Sequence, residues 1–204
     1  MVIQNRSSGL DSECRGKAVK RFFDVVGASG GLLFFSPVTI AIAAAILLDD
    51  GPPVLFRQER VGLARRPFTI LKFRSMRDGK VTCVGHVLRS TGLDEIPQFV
   101  NILRGDLSAV GPRPLTSADV GRLGWNTARH DFRWRIRPGL TGLAQVLGTD
   151  SARRSACADR YYLAHQSLML DCRLVALSFA INILGKKRVR RLLIRRRRHI
   201  SEGR

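Results

Sequence analysis

The sequence predicts an α+β protein built in two parts. An N-terminal re-entrant membrane hairpin, helix–break–helix in form, precedes a small, mostly helical membrane-surface domain with a short β-hairpin and interfacial amphipathic helices. Three observations predict this. Val25 to Leu48 carries no charge yet is interrupted by Pro37 at its centre. After Asp49-Asp50-Gly51-Pro52-Pro53 the composition changes to short β-type runs and helix-length segments. The whole chain of 204 residues is strongly basic, with 35 Lys and Arg against 16 Asp and Glu, a formal charge of +19. The expected division is an extension at 1–16, the hairpin at 17–50, the main domain at 51–185 and a basic tail at 186–204.

The apolar stretch is long enough to cross a bilayer, since about 20 apolar residues suffice. Pro37 opposes a straight crossing, because an internal proline removes a donor and clashes with the preceding turn at roughly 3 kcal/mol. The flanks oppose it too. Lys17, Lys20 and Arg21 precede the stretch and Arg57, Arg60, Arg65 and Arg66 follow it, whereas a single span concentrates its basic residues on one side. Two halves, Val25 to Ser36 and Pro37 to Leu48, would each be about 18 Å long, too short to cross. Ser36 could give its hydroxyl to backbone groups freed at the break. A kinked span and a cleaved signal peptide are the alternatives. The run is rather long for a signal peptide, and Asp24 stands at its entrance.

Beyond Pro53, Val54–Phe56 and Phe68–Phe73 read as two β-type runs joined by a turn around Gly62 to Pro67. A helix is expected from Asp94 through Leu103, ending near Gly105. Gly111-Pro112-Arg113-Pro114 and Arg137-Pro138-Gly139-Leu140-Thr141-Gly142 read as loops. Ala152 to His165 and Ser167 to Leu184 read as helices. The tail from Lys186, dominated by arginine, suits anionic membrane lipids, each cation contributing about 1 kcal/mol near the surface. A nucleic-acid arm would look similar, but the apolar hairpin favours lipid, and no nucleic acid is expected. Cys14, Cys83, Cys157 and Cys172 are scattered, without the spacing of a zinc site or a disulfide framework.

Asp94 and Glu95 stand side by side in Ser90-Thr91-Gly92-Leu93-Asp94-Glu95-Ile96-Pro97-Gln98. A helix start explains them economically: Thr91 can cap, Asp94 falls where a capping box wants an acid, and Pro97 suits a first turn. Their surroundings add a second reading. Lys20-Arg21-Phe22-Phe23-Asp24, Phe56-Arg57-Gln58-Glu59-Arg60-Val61-Gly62, Lys72-Phe73-Arg74-Ser75-Met76, Leu93-Asp94-Glu95-Ile96-Pro97-Gln98, Gly105 to Pro114 and Arg137 to Val146 follow in that order. The series resembles the bacterial sugar transferases, small monotopic phosphoglycosyl transferases, over roughly residues 17 to 180.

The resemblance implies transfer of a sugar-1-phosphate from a nucleotide diphosphate sugar, usually a UDP-sugar, to polyprenyl phosphate on the cytosolic face of the bacterial cytoplasmic membrane. UMP leaves, and the lipid-linked sugar begins a glycan such as an exopolysaccharide or lipopolysaccharide. It also implies Mg2+ and a covalent phosphosugar intermediate on Asp94. Residue chemistry agrees. An aspartate is ionised near neutral pH and needs no general base, while phosphoryl transfer depends on alignment and charge neutralisation. Glu95 is the natural ligand for a hard cation. Arg89 and Arg113, the latter fixed between Pro112 and Pro114, are candidates for the diphosphate. Gly139, Gly142 and Gln145 match a loop expected near the nucleotide. Arg57, Lys72 and Arg74 would line the phosphate side or face lipid headgroups, and Ser36 and Pro37 mark the hairpin break. The sequence departs from the family pattern at Leu143, where tryptophan is usual, and at Leu147-Gly148-Thr149, where Asn-Gly-Arg is usual. The segment between Met76 and Arg89 is also short. Rival readings are a noncatalytic lipid- or nucleic-acid-binding membrane protein and a degenerate transferase acting as a scaffold. No oligomeric state follows from the residues.

Overall fold

The computed structural model describes residues 4–149 and 151–185; the basic tail expected at 186–204 lies outside the described residues. Helix α1 runs from Gln4 to Asp50 with Pro37 inside it, and Gly16–Asp50 is long and apolar enough to cross a membrane. Two separate helices with a break between them are therefore replaced by one helix, which also absorbs most of the expected 1–16 extension. The physical reason sits at the proline. Pro37 has no N–H for the carbonyl four residues back, which is that of Leu33, and the Ser36 hydroxyl donates to this carbonyl at 2.8 Å. The predicted donor is present, but it carries the helix across the proline rather than ending it.

One face of α1 lies on the domain. Residues 21, 24, 28, 31, 35, 42, 46 and 49 make contacts there, at the three- and four-residue spacing of a single helix face. Ala28 joins the cluster of Ile70, Ile102 and Leu107, and Ile42 and Ile46 join that of Phe73, Leu88 and Ile96. Gly31 admits the Phe99 ring, since a Cβ there would lie 3.0 Å from it. The opposite face leaves Leu33, Phe34, Ile40 and Leu48 more than two-thirds exposed. Polar clamps hold both ends. Arg21 donates to the carbonyls of Ile102 and Leu103 at 2.6 and 3.0 Å, Asp24 accepts from the Ala109 amide at 3.0 Å, and Lys20 pairs with Asp171. At the far end Asp50 pairs with Arg74 at 2.8 Å and Arg77 at 3.0 Å.

The expected β-hairpin is present and longer than predicted. Strand β1, Leu55–Val61, pairs antiparallel with β2, Pro67–Phe73, in the register Leu55 with Phe73 to Val61 with Pro67. Charges at Arg57, Glu59 and Arg60 obscure β1 in the sequence because much of the strand is solvent-facing. A two-residue ladder, β3 (Met76–Arg77) with β4 (Lys80–Val81), leads to an unpredicted helix α2, Cys83–Thr91, capped by Thr82. After a 3₁₀ turn at Leu93–Glu95 comes α3, Gln98–Arg104, ended by Gly105 at φ 90°. Strand β5, Ser108–Val110, pairs in parallel with β6, Gly139–Thr141. Between them lie α4, Ser117–Arg122, and a 3₁₀ helix, Ala128–Arg135. The short α5, Leu143–Leu147, precedes α6, Ala152–Ala164, and α7, Leu168–Leu184. These last two match expectation closely, because Ser151 and Ser167 cap them as sequence chemistry suggests.

Asn101, on α3 and fully buried, ties the elements around the acid pair together. Its Oδ1 accepts from the Leu71 amide at 3.0 Å. Its Nδ2 donates to the Thr69 carbonyl at 2.7 Å and to Asp106 Oδ2 at 3.1 Å. Asn101→Ala is expected to cost about 3 kcal/mol and lower Tm by roughly 6–12 °C, since buried β2 backbone groups lose their partners. Thermal unfolding of the detergent-solubilised chain checks this; an unchanged Tm would show that the seam carries little stability.

Candidate active site

Asp94 and Glu95 occupy the 3₁₀ turn between α2 and α3. This corrects the simple helix-start reading. Thr91 ends α2, its hydroxyl donating back to the Val87 carbonyl at 2.8 Å while its oxygen accepts from the Leu93 amide at 3.5 Å, and the cap position of the following turn falls to Gly92. Gly92, at φ 73°, then reverses the chain. A Cβ on Gly92 would also lie 2.7 Å from the Asn182 side chain of α7, so the turn is packed as well as bent. Pro97 precedes α3, whose first residues pack inward through Gln98.

Lys72, on β2, reaches across to both acids. Its Nζ is 2.6 Å from Glu95 Oε1 and 3.8 Å from Asp94 Oδ2. The side chain of Asp94 is only 14% exposed, against 38% for Glu95. Burial pushes the Asp94 carboxyl above its usual range; Lys72 draws it back down, Glu95 adds to the rise, and Arg89 lowers it slightly. The two acids therefore differ, one sheltered and the other open and already bound to a cation. Arg89 lies in the last turn of α2, exposed and close enough to act on Asp94 electrostatically.

Whether this pair suits Mg2+ can be judged from the donors. Among the described residues no group of three His, Cys, Asp or Glu stands together. Two adjacent carboxylates, one well exposed, are the donor set Mg2+ commonly takes when water and substrate phosphates supply its other ligands. Glu95 fits that role, and the lysine now on it shows that the position attracts positive charge.

A second constellation gathers around Arg113. Strands β5 and β6 bring the Gly111–Pro114 and Arg137–Gly142 loops together, with the Gly139 amide donating to the Pro112 carbonyl at 2.9 Å. Gly139 and Gly142 are explained by this seam. A Cβ on Gly139 would lie 2.0 Å from the Gly111 amide nitrogen, and one on Gly142 2.1 Å from the Gly111 carbonyl oxygen. Both glycines thus shape the backbone. Pro112 is buried, and Arg60 steadies the loop by donating to the Pro114 carbonyl at 3.1 Å.

Exposed Arg113 and half-buried Gln145 line a cavity of about 270 Å³ together with Trp125, Arg133, Ser155 and Asp159. Sequence reasoning assigned no role to Trp125 or Arg133. The local signal for Arg133 was the basic-aromatic composition of Asp131-Phe132-Arg133-Trp134-Arg135, a stretch that does not include Trp125. The Arg133 guanidinium lies over Trp125 at 4.3 Å and pairs with Asp159 at 2.8 Å, both side chains at most 3% exposed. Burial pushes Asp159 up to about 6 against the pull of Arg133.

The other predicted residues are placed elsewhere. Arg74 is committed to Asp50 and to the carbonyls of Asp50, Gly51 and Pro52, and so fastens the hairpin to α1. Arg57 is exposed on β1, opposite Leu71. Leu143 packs near Val110, Tyr162 and Leu174, whereas Gly148 and Thr149 border the cavity. Of these two departures from the family pattern, the second borders open space, and the short segment between Met76 and Arg89 is itself largely exposed.

Residues 15–185 match the profile of the bacterial sugar transferases, and the chain belongs to that family. It is 40% identical over 177 residues to a UDP-glucose:undecaprenyl-phosphate glucose-1-phosphate transferase of Caulobacter vibrioides, covering 76% of this chain and 66% of that protein. Identity is 38% over 176 residues with a UDP-N-acetylgalactosamine-undecaprenyl-phosphate N-acetylgalactosaminephosphotransferase of Aeromonas hydrophila, covering 77% of this chain and 42% of that one. An exopolysaccharide production protein of Rhizobium leguminosarum bv. phaseoli is 35% identical over 182 residues, 77% of this chain and 91% of its own length. The chain thus spans less than two thirds of the first two relatives.

The sheltered acid gives a direct test. A pH titration of Asp94 followed by carboxyl-carbon NMR should place its midpoint above the ordinary value of about 3.9. Removing the neighbouring cation with Lys72→Met should move the midpoint further up. A wild-type midpoint at or below the ordinary value would contradict the burial described.

Proposed function

We propose that this protein transfers a sugar-1-phosphate from a UDP-sugar to polyprenyl phosphate, releasing UMP, and so begins assembly of a glycan. The observation that carries this reading is the Asp94–Glu95–Lys72 cluster, a sheltered carboxylate beside an open one, in a chain of the sugar transferase family. In the first step a carboxylate oxygen of Asp94 bonds to the sugar-bearing phosphorus, and UMP departs with the electrons of the broken P–O bond. An oxygen of polyprenyl phosphate then attacks the same phosphorus and frees Asp94. Glu95 would hold Mg2+, which when bound supplies charge neutralisation for the diphosphate. Lys72 and Arg89 reduce the repulsion between Asp94 and an anionic substrate. Arg113 presents a guanidinium from a proline-fixed loop, suited to a phosphate oxygen.

We further propose a monotopic placement on the cytosolic face of the cytoplasmic membrane. The support is that Lys20, Arg21 and Asp24 before the apolar stretch and Asp50 after it all bind the same domain. With residues 28 to 46 also packed on that domain along one face, the exposed leucines and phenylalanines would enter lipid from one side. Labelling Lys17→Cys and Glu59→Cys in a background without native cysteines, using a membrane-impermeant thiol reagent, should modify both from the same face. Modification from opposite faces would establish a crossing helix.

The reaction is tested by UMP release from a panel of UDP-sugars with polyprenyl phosphate and Mg2+. The wild-type chain should release UMP with one or more donors, and Asp94→Asn should abolish release. Retained turnover by that variant would remove Asp94 as the nucleophile, and inactivity of wild type across the panel would favour a scaffold.

A further inference from the structure

We infer that Arg60 is a positioning residue for the phosphate contact of Arg113, an assignment that rests on the transferase reading and deepens it. The loop Gly111-Pro112-Arg113-Pro114-Leu115 contains two prolines, which have no N–H to donate. Its anchoring therefore runs largely through carbonyl oxygens, and four consecutive ones are each held by a different donor. Pro112 accepts from the Gly139 amide at 2.9 Å and Arg113 from Arg133 Nη2 at 3.2 Å. Pro114 accepts from Arg60 Nη1 at 3.1 Å and Leu115 from the Val61 amide at 2.8 Å. The prolines also fix φ at two positions and restrict Arg113 between them. Both prolines are buried while Arg113 is exposed. Among the described residues the Arg113 guanidinium has no hydrogen bond or ion pair. A firmly held backbone thus carries one charged head that the fold itself does not use.

Two of the four donors are guanidiniums, and they differ. Arg133 is paired with Asp159 at 2.8 Å, whereas among the described residues no carboxylate forms an ion pair with Arg60. Arg60 lies two residues after Gln58, on the same face of β1, and its Nη2 donates to Gln58 Oε1. The fork is spread between Gln58 on its own strand and Pro114 on the loop, so it fixes one against the other. Arg57, on the other face of β1, makes neither contact. Burial holds the Arg60 guanidinium below its ordinary range, the Arg113 charge lowers it further, and Asp119 raises it. The Arg60 and Arg113 heads therefore repel one another. With Arg60 fixed on β1, Arg113 relieves that repulsion by extending away, and a phosphate bound to it would relieve more. Lysine would supply the charge without the planar fork that bonds two acceptors at once.

Equilibrium dialysis of the full chain in detergent, with UDP as the probe, tests this through double-mutant cycles. Arg113→Met should weaken UDP binding about tenfold, the loss of one charge-assisted hydrogen bond. Arg60→Lys, which keeps the charge, should weaken it about fivefold, since the loop and its side chain must then be ordered on binding. Gln58→Leu, which frees the other arm of the fork, should act in the same direction. Neither change should have any effect in the Arg113→Met background, because both act through Arg113. A merely structural role would weaken binding whether or not Arg113 is present. A loss in either variant that vanishes with Arg113→Met supports the assignment. Unchanged affinity in both variants, losses that persist without Arg113, or no UDP binding by wild type would each overturn it. UMP release by the same wild-type preparation separates the two readings. Release from a UDP-sugar with uncoupled losses sinks the positioning role and leaves the transferase. Coupled losses in UDP binding without release from any donor do the reverse.

Discussion

Asn101 fixes the relation between the two elements that carry Lys72 and the acid pair. It belongs to α3, directly after the turn bearing Asp94 and Glu95, and it bonds the backbone of β2 on either side of Ile70, one residue short of Lys72. A side-chain amide that replaces a missing strand partner in this way sets register as well as stability, because its donor and acceptor must both be satisfied at once. Lys72 therefore meets the acids at a defined height. The same arrangement buries Ile70, Ile102 and Leu107 together, so the seam and the core beneath it are one structure.

Helix α1 reverses the usual pattern of a surface helix. Its inward face is held at both ends by charge and hydrogen bonds, with small and apolar residues between, while its outward face is richly apolar. A large exposed apolar face is unstable in water and marks contact with lipid or protein. Here it lies on the side away from the domain, and the acid cluster depends on packing with the inward side through Ile42, Ile46, Leu88 and Ile96. The exposed apolar face and the geometry of the acid turn are thus coupled through one continuous helix.

Much of this organisation was legible in the sequence, for identifiable reasons. The apolar stretch, the second strand and the last two helices announce themselves through residue pattern, and the structure adds Ser151 and Ser167 as their caps. The acid pair stood out in the sequence by its order among other motifs, but its local form did not. Thr91 has the chemistry of an N-cap, and only the fold shows that it closes α2, leaving the cap position of the next turn to Gly92. Arg74 read as lining the phosphate side or facing lipid headgroups because its partner, Asp50, is twenty-four residues away in sequence. Gly139 and Gly142 read as ligand-binding for a similar reason, since the backbone they accommodate belongs to Gly111. The cavity was least visible of all. Trp125, Arg133, Gln145 and Asp159 sit on four different elements or loops and share no local pattern, so only the fold brings them together.

In the proposed mechanism one carboxylate bonds covalently to phosphorus. Intact-protein mass spectrometry of wild type quenched with UDP-sugar and Mg2+, before polyprenyl phosphate is added, tests it most directly. The account predicts a mass increase equal to one sugar phosphate, mapping by peptide analysis to Asp94 and vanishing when the lipid acceptor is supplied. Product formation at full rate with no adduct at Asp94 under any quench would contradict it.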